Sequence, residues 1–165
     1  MKTEMRPDRA TSAMSAMLAG LSLSGCMALP ADPDHEPHDW KEEPHHLSML
    51  VAGTFEQVEA APSIGVDYEY RLNPFLGIGA VAERAFGEIE TTTLIGAADL
   101  HFTDHLIAQI GPGIEFVRGE QEPMFRIGML YEFEQHGYTI SPQLHYDWTS
   151  GEDAIVFGLA FGVGF

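Results

Sequence analysis

The stretch that decides the fold runs from residue 138 to residue 148 and reads YTISPQLHYDW. Every second residue is apolar, from Tyr138 through Ile140 and Leu144 to Trp148, and the residues between them are polar. Alternation with a period of two is typical of a β-strand whose two faces meet different surroundings. The stretch therefore predicts a strand with one apolar face and one polar face.

The same alternation recurs on both sides of this stretch. It is strong in residues 64–72, 125–133 and 155–165, and weaker in residues 47–55, 76–86, 94–102 and 106–116. These segments have roughly the 9–11 residues that a tilted strand needs to cross a bilayer. After the N-terminal region no apolar run reaches the roughly 18 residues of a transmembrane helix. We therefore predict an all-β fold, an eight-stranded antiparallel up-and-down transmembrane β-barrel over residues 46–165.

The connections between the predicted strands fall into two kinds. Tight turns are expected at residues 72–74, 103–105 and 135–137, and longer acidic loops at residues 56–63, 87–92, 118–123 and 149–153. Short turns on one rim and longer loops on the other are typical of outer-membrane barrels, whose termini both lie in the periplasm. We expect the same orientation here.

Alternation alone does not say which face points outward, because a soluble lipocalin-type barrel has the same period with its apolar face inside. The polar face is rich in Gly and Ala, which suits a crowded lumen, and the chain stops at Phe165 after apolar residues spaced two apart. Aromatic residues of the apolar face also form two bands, as in the interfacial girdles of membrane barrels. One band holds Phe55, Phe86, Phe116, Phe125, Trp148 and Phe157, and the other holds Tyr70, Phe102, Phe133, Tyr138 and Phe165. These observations favour a lipid-facing apolar surface.

Residues 46–165 resemble the eight-stranded barrels of the outer-membrane protein A and X type. The His-rich segment leading into HHLSM (45–49), the stretch VDYEY (66–70) and the Gly-rich end at Phe165 are similar to a group of small porin-like proteins. The resemblance implies the fold and a cell outer-membrane location, and it implies no activity. It also implies that Phe165 is the signal read by the outer-membrane assembly machinery.

The first residues are expected to be an export signal. A mostly basic start is followed by a modest apolar stretch and by Leu23-Ser24-Gly25-Cys26. A charged region, a short apolar region and small residues at the cleavage point are typical of a signal peptide, here residues 1–25. The tetrapeptide resembles the lipobox of bacterial lipoproteins and implies lipidation of Cys26. Ordinary cleavage near Ala28, without a lipid, is the alternative.

Residues 26–45 are predicted to form a flexible periplasmic linker. Prolines and acids are dense in this segment, which is typical of an extended chain. It also carries histidines, and imidazole with carboxylate is a suitable ligand set for a divalent metal such as zinc or copper. A metal site at these histidines is one hypothesis, and a plain solvated tether is the other. The histidines concerned are His35, His38, His45 and His46.

The polar face of the predicted barrel carries many charged side chains. Toward the periplasmic half we place Glu69, Arg71, Asp99, His101 and Glu132, with Asp67 on the same face; toward the outer half we place Glu83, Glu115, Arg126, His145 and Asp147. Each arginine can anchor a carboxylate network that fills the lumen. The acids outnumber the arginines, however, and a surplus carboxylate must take a proton, water or a cation. A narrow cation path, or a metal-binding barrel, is therefore the alternative to a plugged lumen.

Two other classes of function are disfavoured. The chain has 25 acidic residues against 8 Lys plus Arg, a formal net charge of −17, so nucleic acid is not an expected partner. No His-x-Ser pair lies on the apolar face, and Ser141, Thr149 and Ser150 show no base at hydrogen-bond spacing, so catalysis is not expected. The prediction is a non-enzymatic barrel without a cofactor, a monomer whose partners are membrane lipid and the assembly machinery.

Overall fold

The computed structural model describes residues 43–57, 59–87 and 89–165. These residues form strands β1 (His45–Glu56), β2 (Glu59–Arg71), β3 (Leu76–Ala85), β4 (Thr91–His101), β5 (Leu106–Val117), β6 (Glu120–Tyr131), β7 (Phe133–Gln135), β8 (Tyr138–Thr149) and β9 (Ala154–Gly164). Both β6 and β7 pair with β8, and only Glu132 separates them. They therefore act as one interrupted strand, and the wall has eight strands.

The sheet closes on itself. Each strand pairs antiparallel with the next, β1 pairs with β9 along its length, and β6 pairs with β8. Closure leaves no unpaired edge along the wall, which is the arrangement that a strand-built membrane protein requires. The predicted fold class, an eight-stranded antiparallel up-and-down barrel, is confirmed.

The apolar face of each strand points outward and the polar face points into the lumen. Met49 and Tyr138 are 60% and 64% exposed, whereas Arg126 and His145 are each 1% exposed. A soluble barrel has the opposite arrangement, because water-facing walls are polar and cores are apolar. The lipocalin-type alternative is therefore excluded.

Exposed aromatic side chains lie near both ends of this outer surface. At one end they include Phe55, Phe125, Trp148 and Phe157, and at the other Tyr70, Phe102, Phe133, Tyr138 and Phe165. We call the two ends of the barrel the turn rim and the loop rim, after the connections that each of them carries. The turn rim carries residues 72–75, 102–105 and 136–137, and the loop rim carries residues 57–58, 86–90, 118–119 and 150–153.

The expectation of longer loops on one rim is wrong. The loop-rim connections contain two to five residues, and the turn-rim connections contain two to four. The strands are longer than predicted, because residues 59–63 and 120–123 extend β2 and β6 although they lack an alternation of large apolar side chains. Loop length therefore gives no argument for the orientation of the barrel.

Backbone conformation explains how such short connections are possible. Arg118 and Gly119 have φ values of 49° and 91°, and His136 and Gly137 have values of 56° and 77°. Two consecutive residues with positive φ form the type I′ turn, whose twist matches that of a two-residue β-hairpin. Glycine is suited to the second position because it has no Cβ to oppose positive φ.

The predicted boundary between linker and barrel shifts by one residue, because β1 begins at His45. The strand continues to this point since the main-chain N of His45 donates to the Phe165 oxygen, and the Phe165 N donates back. The predicted signal peptide, Cys26, His35 and His38 lie outside the described residues. Within the described ranges, no helix is long and apolar enough to be a membrane span.

Candidate functional site

The lumen is lined by buried charged and polar side chains, and several of their hydrogen bonds cross it. We distinguish three groups by the residues that form them. The loop-rim network comprises Arg126, Asp147, Glu83 and Thr54; the turn-rim network comprises Glu69, His101 and Arg71; the carboxylate pair comprises Asp67 and Asp99, joined by Gln109.

Arg126 is the centre of the loop-rim network. On the neighbouring strand β8, Asp147 accepts from Arg126 Nε at 2.7 Å and from Nη2 at 2.6 Å. The same Nη2 donates to Glu83 on β3 at 3.0 Å, and Thr54 also donates to Glu83 at 3.3 Å. Because β4 and β5 lie between β3 and β6 in the sheet, the Arg126–Glu83 bond spans the lumen. Charge-assisted bonds of this kind are the strong ones in proteins.

The turn-rim network joins β2 and β4 across β3. His101 Nε2 donates to Glu69 Oε1 at 2.7 Å, and Arg71 Nη2 donates to His101 Nδ1 at 2.7 Å. The Glu69 carboxylate can cross β3 because Gly77 has no side chain there; a Cβ on Gly77 would collide with Glu69 Oε1. The glycine therefore makes room for the ionic contact.

The carboxylate pair shares one neutral donor. Gln109 Nε2 on β5 donates to Asp67 Oδ2 at 2.9 Å and to Asp99 Oδ1 at 3.0 Å. Gln109 is 1% exposed, and β3 and β4 separate its strand from that of Asp67, so this bond also spans the lumen. Among the described residues, Asp67 Oδ1 and Gln109 Oε1 have no hydrogen-bond partner.

His145 occupies space that a glycine leaves open. Gly128 is its direct cross-strand partner, and a Cβ on Gly128 would collide with His145 Nδ1. His145 Nε2 donates to Gln143 Oε1 at 3.0 Å, and Nδ1 has no partner among the described residues. The sequence placed His145 near Arg126, and the two side chains do interact electrostatically.

Asp147 acts on Glu115 through its charge, and Glu69 and Arg71 act on Glu132, but in the described residues neither acid forms a direct ion pair with an arginine. Glu115 lies toward the loop rim beside Thr91, and in the described part of the chain it makes no ion pair with Arg126. Glu132 lies between β6 and β7, and its Oε1 is 3.9 Å from His46 Nδ1. The positions of both acids on the lumen face were predicted, but their partners were not.

The two strand histidines differ from the flexible ligands that the sequence suggested. His45 points outward, where its Nδ1 lies 2.8 Å from the Tyr68 hydroxyl and its ring stacks on Phe165. His46 points inward, and its Nε2 is hydrogen-bonded to Thr139 Oγ1 at 2.9 Å. Adjacent residues of a strand point to opposite faces, so His45 and His46 cannot bind one ion together. Where the chain is described, no cluster of three or more His, Cys, Asp or Glu can hold a metal ion.

Sequence reasoning missed several neutral participants, among them Thr54, Gln109, Gln143 and Thr139. Each bonds a charged or ionisable side chain that had been identified. Their positions on the lumen face of predicted strands were the available signal. Neutral side chains give a weaker signal than ionisable ones, because many positions on a lumen face are neutral.

The closed wall, the outward apolar surface and the polar lumen give this protein the fold of the small eight-stranded outer-membrane β-barrels. The structure is similar to the N-terminal β-barrel domain of Pseudomonas aeruginosa OprF, with a TM-score of 0.51 and 13% identity over 73% of this chain and 97% of that one. It is also similar to the Yersinia pestis outer membrane protein Ail, with a TM-score of 0.52 and 10% identity over 73% and 99%.

A de novo designed transmembrane β-barrel gives a comparable match, with a TM-score of 0.52 and 15% identity over 73% of this chain and 98% of that one. No protein-family model matches the sequence, and no curated protein matches it significantly. At these identities the likeness is one of fold. A designed barrel and natural barrels match about equally well, so the fold carries no particular activity.

Proposed function

We propose that this protein is a non-enzymatic outer-membrane barrel whose acidic lumen is closed to ions, with a structural or interaction role. The observation that carries the proposal is the bond from Arg126 to Glu83, which crosses the lumen while Asp147 holds the same guanidinium from the adjacent strand. Arg126 is 1% exposed. Small barrels are commonly filled by side chains rather than left open.

The apolar outer surface supports the proposed location. Large apolar side chains on every long strand are exposed, and water would not stabilise such a surface. We propose that the turn rim and both termini face the periplasm, that membrane lipid covers the apolar surface, and that the protein is a monomer. Fractionation should place it in the outer membrane, with a cysteine introduced at Asp104 labelled only after the membrane is breached.

Conductance is the decisive test of closure. Refolded wild-type protein in planar bilayers should show no single-channel steps. A variant that removes the loop-rim charges together, Arg126→Ala/Glu83→Ala/Asp147→Ala, should admit ions, and it serves as a positive control on the same scaffold. An open wild type would overturn the proposal.

A narrow cation-favouring channel is the second candidate, because carboxylates outnumber arginines along the lumen. If the wild type conducts, Glu115→Gln or Asp147→Asn should lower its cation selectivity, since those carboxylates would attract the ion. Glu59→Gln, which changes an exposed acid on the loop rim, is the matched control and should leave selectivity nearly unchanged.

We also propose that the protein is not an enzyme, and the hydroxyl–imidazole contact between Thr139 and His46 is the place to test it. Thr139 Oγ1 and His46 Nε2 form a hydroxyl–imidazole contact at 2.9 Å, which is the pair of groups that a hydrolase would use as nucleophile and base. Hydrolysis of short-chain and long-chain nitrophenyl esters should be no faster than with Thr139→Val. A rate that this substitution abolishes would make the protein a hydrolase.

Export and lipidation remain proposals from the sequence. Incorporation of labelled fatty acid should occur in the wild type and be abolished by Cys26→Ala. Cys26→Ser, which preserves size and polarity, should behave in the same way. A mature, unlipidated wild type that begins near Leu29 would show ordinary cleavage instead.

A further inference from the structure

Within the part of the chain that the structure describes, the carboxylate pair has no cation at contact distance. Asp67 and Asp99 both accept from Gln109, which is neutral, at 2.9 and 3.0 Å. The side chains that act on Asp99 through their charge are Asp67, Glu69 and Glu132, all of which are carboxylates. Carboxylates withdrawn from water and left without a counter-charge are costly, so this part of the lumen needs a positive charge or protons.

The basic side chains nearby are committed elsewhere. Arg71 and His101 are hydrogen-bonded to each other, and both contact Glu69. Arg126 acts electrostatically on Asp67, but its hydrogen bonds go to the other carboxylates of the loop-rim network. Among the described residues, no basic side chain forms a direct ion pair with Asp67 or Asp99, although Arg126 acts on Asp67 through its charge and His46 lies nearby.

A cavity beside the pair provides space for such a partner. Its volume is about 10 Å³, which is the room that roughly one water molecule needs. Asp67, Asp99 and the hydroxyl-bearing Ser48 and Ser141 are among the residues that line it. Asp67 Oδ1 is inaccessible from outside and has no hydrogen-bond partner within the described chain, and the same is true of the nearby Gln109 Oε1. Of these two acceptors, Asp67 Oδ1 belongs to a residue that lines the cavity, and it indicates a missing donor or cation there.

We propose that this cavity binds one small hard cation, of the Na⁺ or Ca²⁺ kind, between Asp67 and Asp99. Two carboxylates with neutral hydroxyl oxygens are a donor set that hard cations prefer. Glu69, Glu132 and His46 also line the cavity, but in the described residues no three His, Cys, Asp or Glu side chains are grouped as ligands, so we assign the ion to the two aspartates. The inference goes beyond the closed barrel proposed above, because a bound ion need not be conducted.

Calorimetric titration of the refolded full-length protein in detergent tests the site. CaCl₂ and NaCl are titrated separately at constant ionic strength, with choline chloride as the background salt, because choline is too large for the cavity. Binding in the millimolar range or tighter is expected for a site with two carboxylates, as in weak calcium modules of about 10⁻⁴–10⁻³ M. Asp67→Asn/Asp99→Asn should weaken it at least about tenfold, or about 1.4 kcal/mol.

Surface acids also attract cations, so a charge-matched control is required. Glu59→Gln/Glu120→Gln removes two exposed carboxylates at the loop rim and should leave the dissociation constant within about twofold. Thermal unfolding gives a second readout: without added cation, Asp67→Asn/Asp99→Asn should be more stable than the wild type, because the repulsion is gone.

The cation-binding measurements can succeed or fail independently of the conductance test. Binding by either ion that the lumen substitutions weaken, and the rim substitutions do not, supports the site whether or not the barrel conducts. Equal weakening by both double variants, or no binding of either ion up to about tenfold above the expected range, overturns it. A silent bilayer recording bears on closure alone.

Discussion

Arg126 and Asp147 are direct cross-strand partners on β6 and β8, and their side chains form a two-point ion pair inside the lumen, at 2.7 Å from Nε and 2.6 Å from Nη2. The two residues that the strand register places opposite each other are thus also the two whose side chains form the ion pair. Because Arg126 also reaches Glu83 across the lumen, this pair links the local pairing of two strands to the packing of the whole barrel.

Arg126→Ala should greatly destabilise the barrel. Removing the guanidinium leaves Asp147 and Glu83 buried without their counter-charge, and loss of one partner of a buried ionic network costs about 3–5 kcal/mol. The free energy of unfolding is measured by urea titration of protein refolded in detergent micelles, with the mobility of unboiled samples on a gel as a second readout.

The matched control for that substitution is Arg84→Ala. The Arg84–Glu90 pair has the same chemistry, but its side chains are 41% and 66% exposed. Exposed pairs contribute roughly 0–1 kcal/mol, so this variant should stay close to the wild type. Adding Glu83→Gln and Asp147→Asn to Arg126→Ala should restore part of the loss. Equal stabilities of the two alanine variants would contradict the role assigned to the loop-rim network.

Gly128→Ala should destabilise the barrel by about 1–3 kcal/mol, because the new methyl group would occupy the place of the His145 ring and overpack the lumen. Gly96→Ala is the control, since nothing lies within 4 Å of its added Cβ. In the Gly128→Ala background, His145→Ala should recover stability, a coupling that a double-mutant cycle measures. If Gly128→Ala unfolds at the same urea concentration as Gly96→Ala, the collision is not a constraint on the fold.

The local sequence pattern was sufficient to predict the strands. It was not sufficient to predict which side chains contact each other across the lumen. The alternation from Tyr138 to Trp148 is a property of neighbouring residues, and β8 covers that stretch. Which lumen residues meet depends on the stagger of strands around the ring, and the sequence does not display it locally. Arg126 therefore meets Asp147 and Glu83 as expected of its cluster, whereas Glu115, assigned to the same cluster, forms no direct ion pair with Arg126 among the described residues.

The prediction of longer loops on one rim was wrong for a different physical reason. Residues 59–63 read EAAPS and offer no contrast between large apolar and polar side chains, so the alternation is invisible there. They nevertheless extend β2, because their main chain pairs with β1 as far as Glu59 and Glu56. Main-chain hydrogen bonding between neighbouring strands does not require an alternation of apolar and polar side chains. The strand can therefore extend beyond the segment in which the alternation is visible.

Phe165→Ala should lower the amount of barrel assembled in the outer membrane of living cells. The residue closes the seam between β1 and β9, where its main chain exchanges hydrogen bonds of 3.1 and 2.9 Å with His45 and its ring stacks on the His45 ring at 5.3 Å. Phe161→Ala removes a similarly exposed aromatic ring from β9, the strand that Phe165 follows, and is the control. Quantitative blotting of outer-membrane fractions gives the readout.

Refolding of Phe165→Ala in detergent should succeed, because its main-chain hydrogen bonds persist and one stacked ring pair contributes only about 0.5–1.5 kcal/mol. A variant that assembles poorly in cells but refolds in vitro indicates recognition by the assembly machinery. Equal losses for Phe165→Ala and Phe161→Ala would show that lipid-facing area, rather than this residue, is what matters.

Zinc uptake should depend on the histidines that precede the barrel and not on those of β1. His45 is packed against Phe165 on the outer surface, and His46 is hydrogen-bonded to Thr139 on the lumen side, so neither is available as a flexible ligand. Of the four predicted ligands, this leaves His35 and His38, which lie outside the described residues and are spaced three apart among carboxylates.

If the segment before the barrel is a metal site, equilibrium dialysis of full-length protein in detergent against zinc at neutral pH should show binding that His35→Ala/His38→Ala weakens at least about tenfold, or about 1.4 kcal/mol. His45→Ala is the control and should bind as the wild type does. Protons compete with zinc for imidazole nitrogen, so the bound zinc should be released as the pH falls below about 6. Zinc retained by His35→Ala/His38→Ala would place the ion elsewhere, and no uptake at millimolar zinc would leave residues 26–44 as a plain tether.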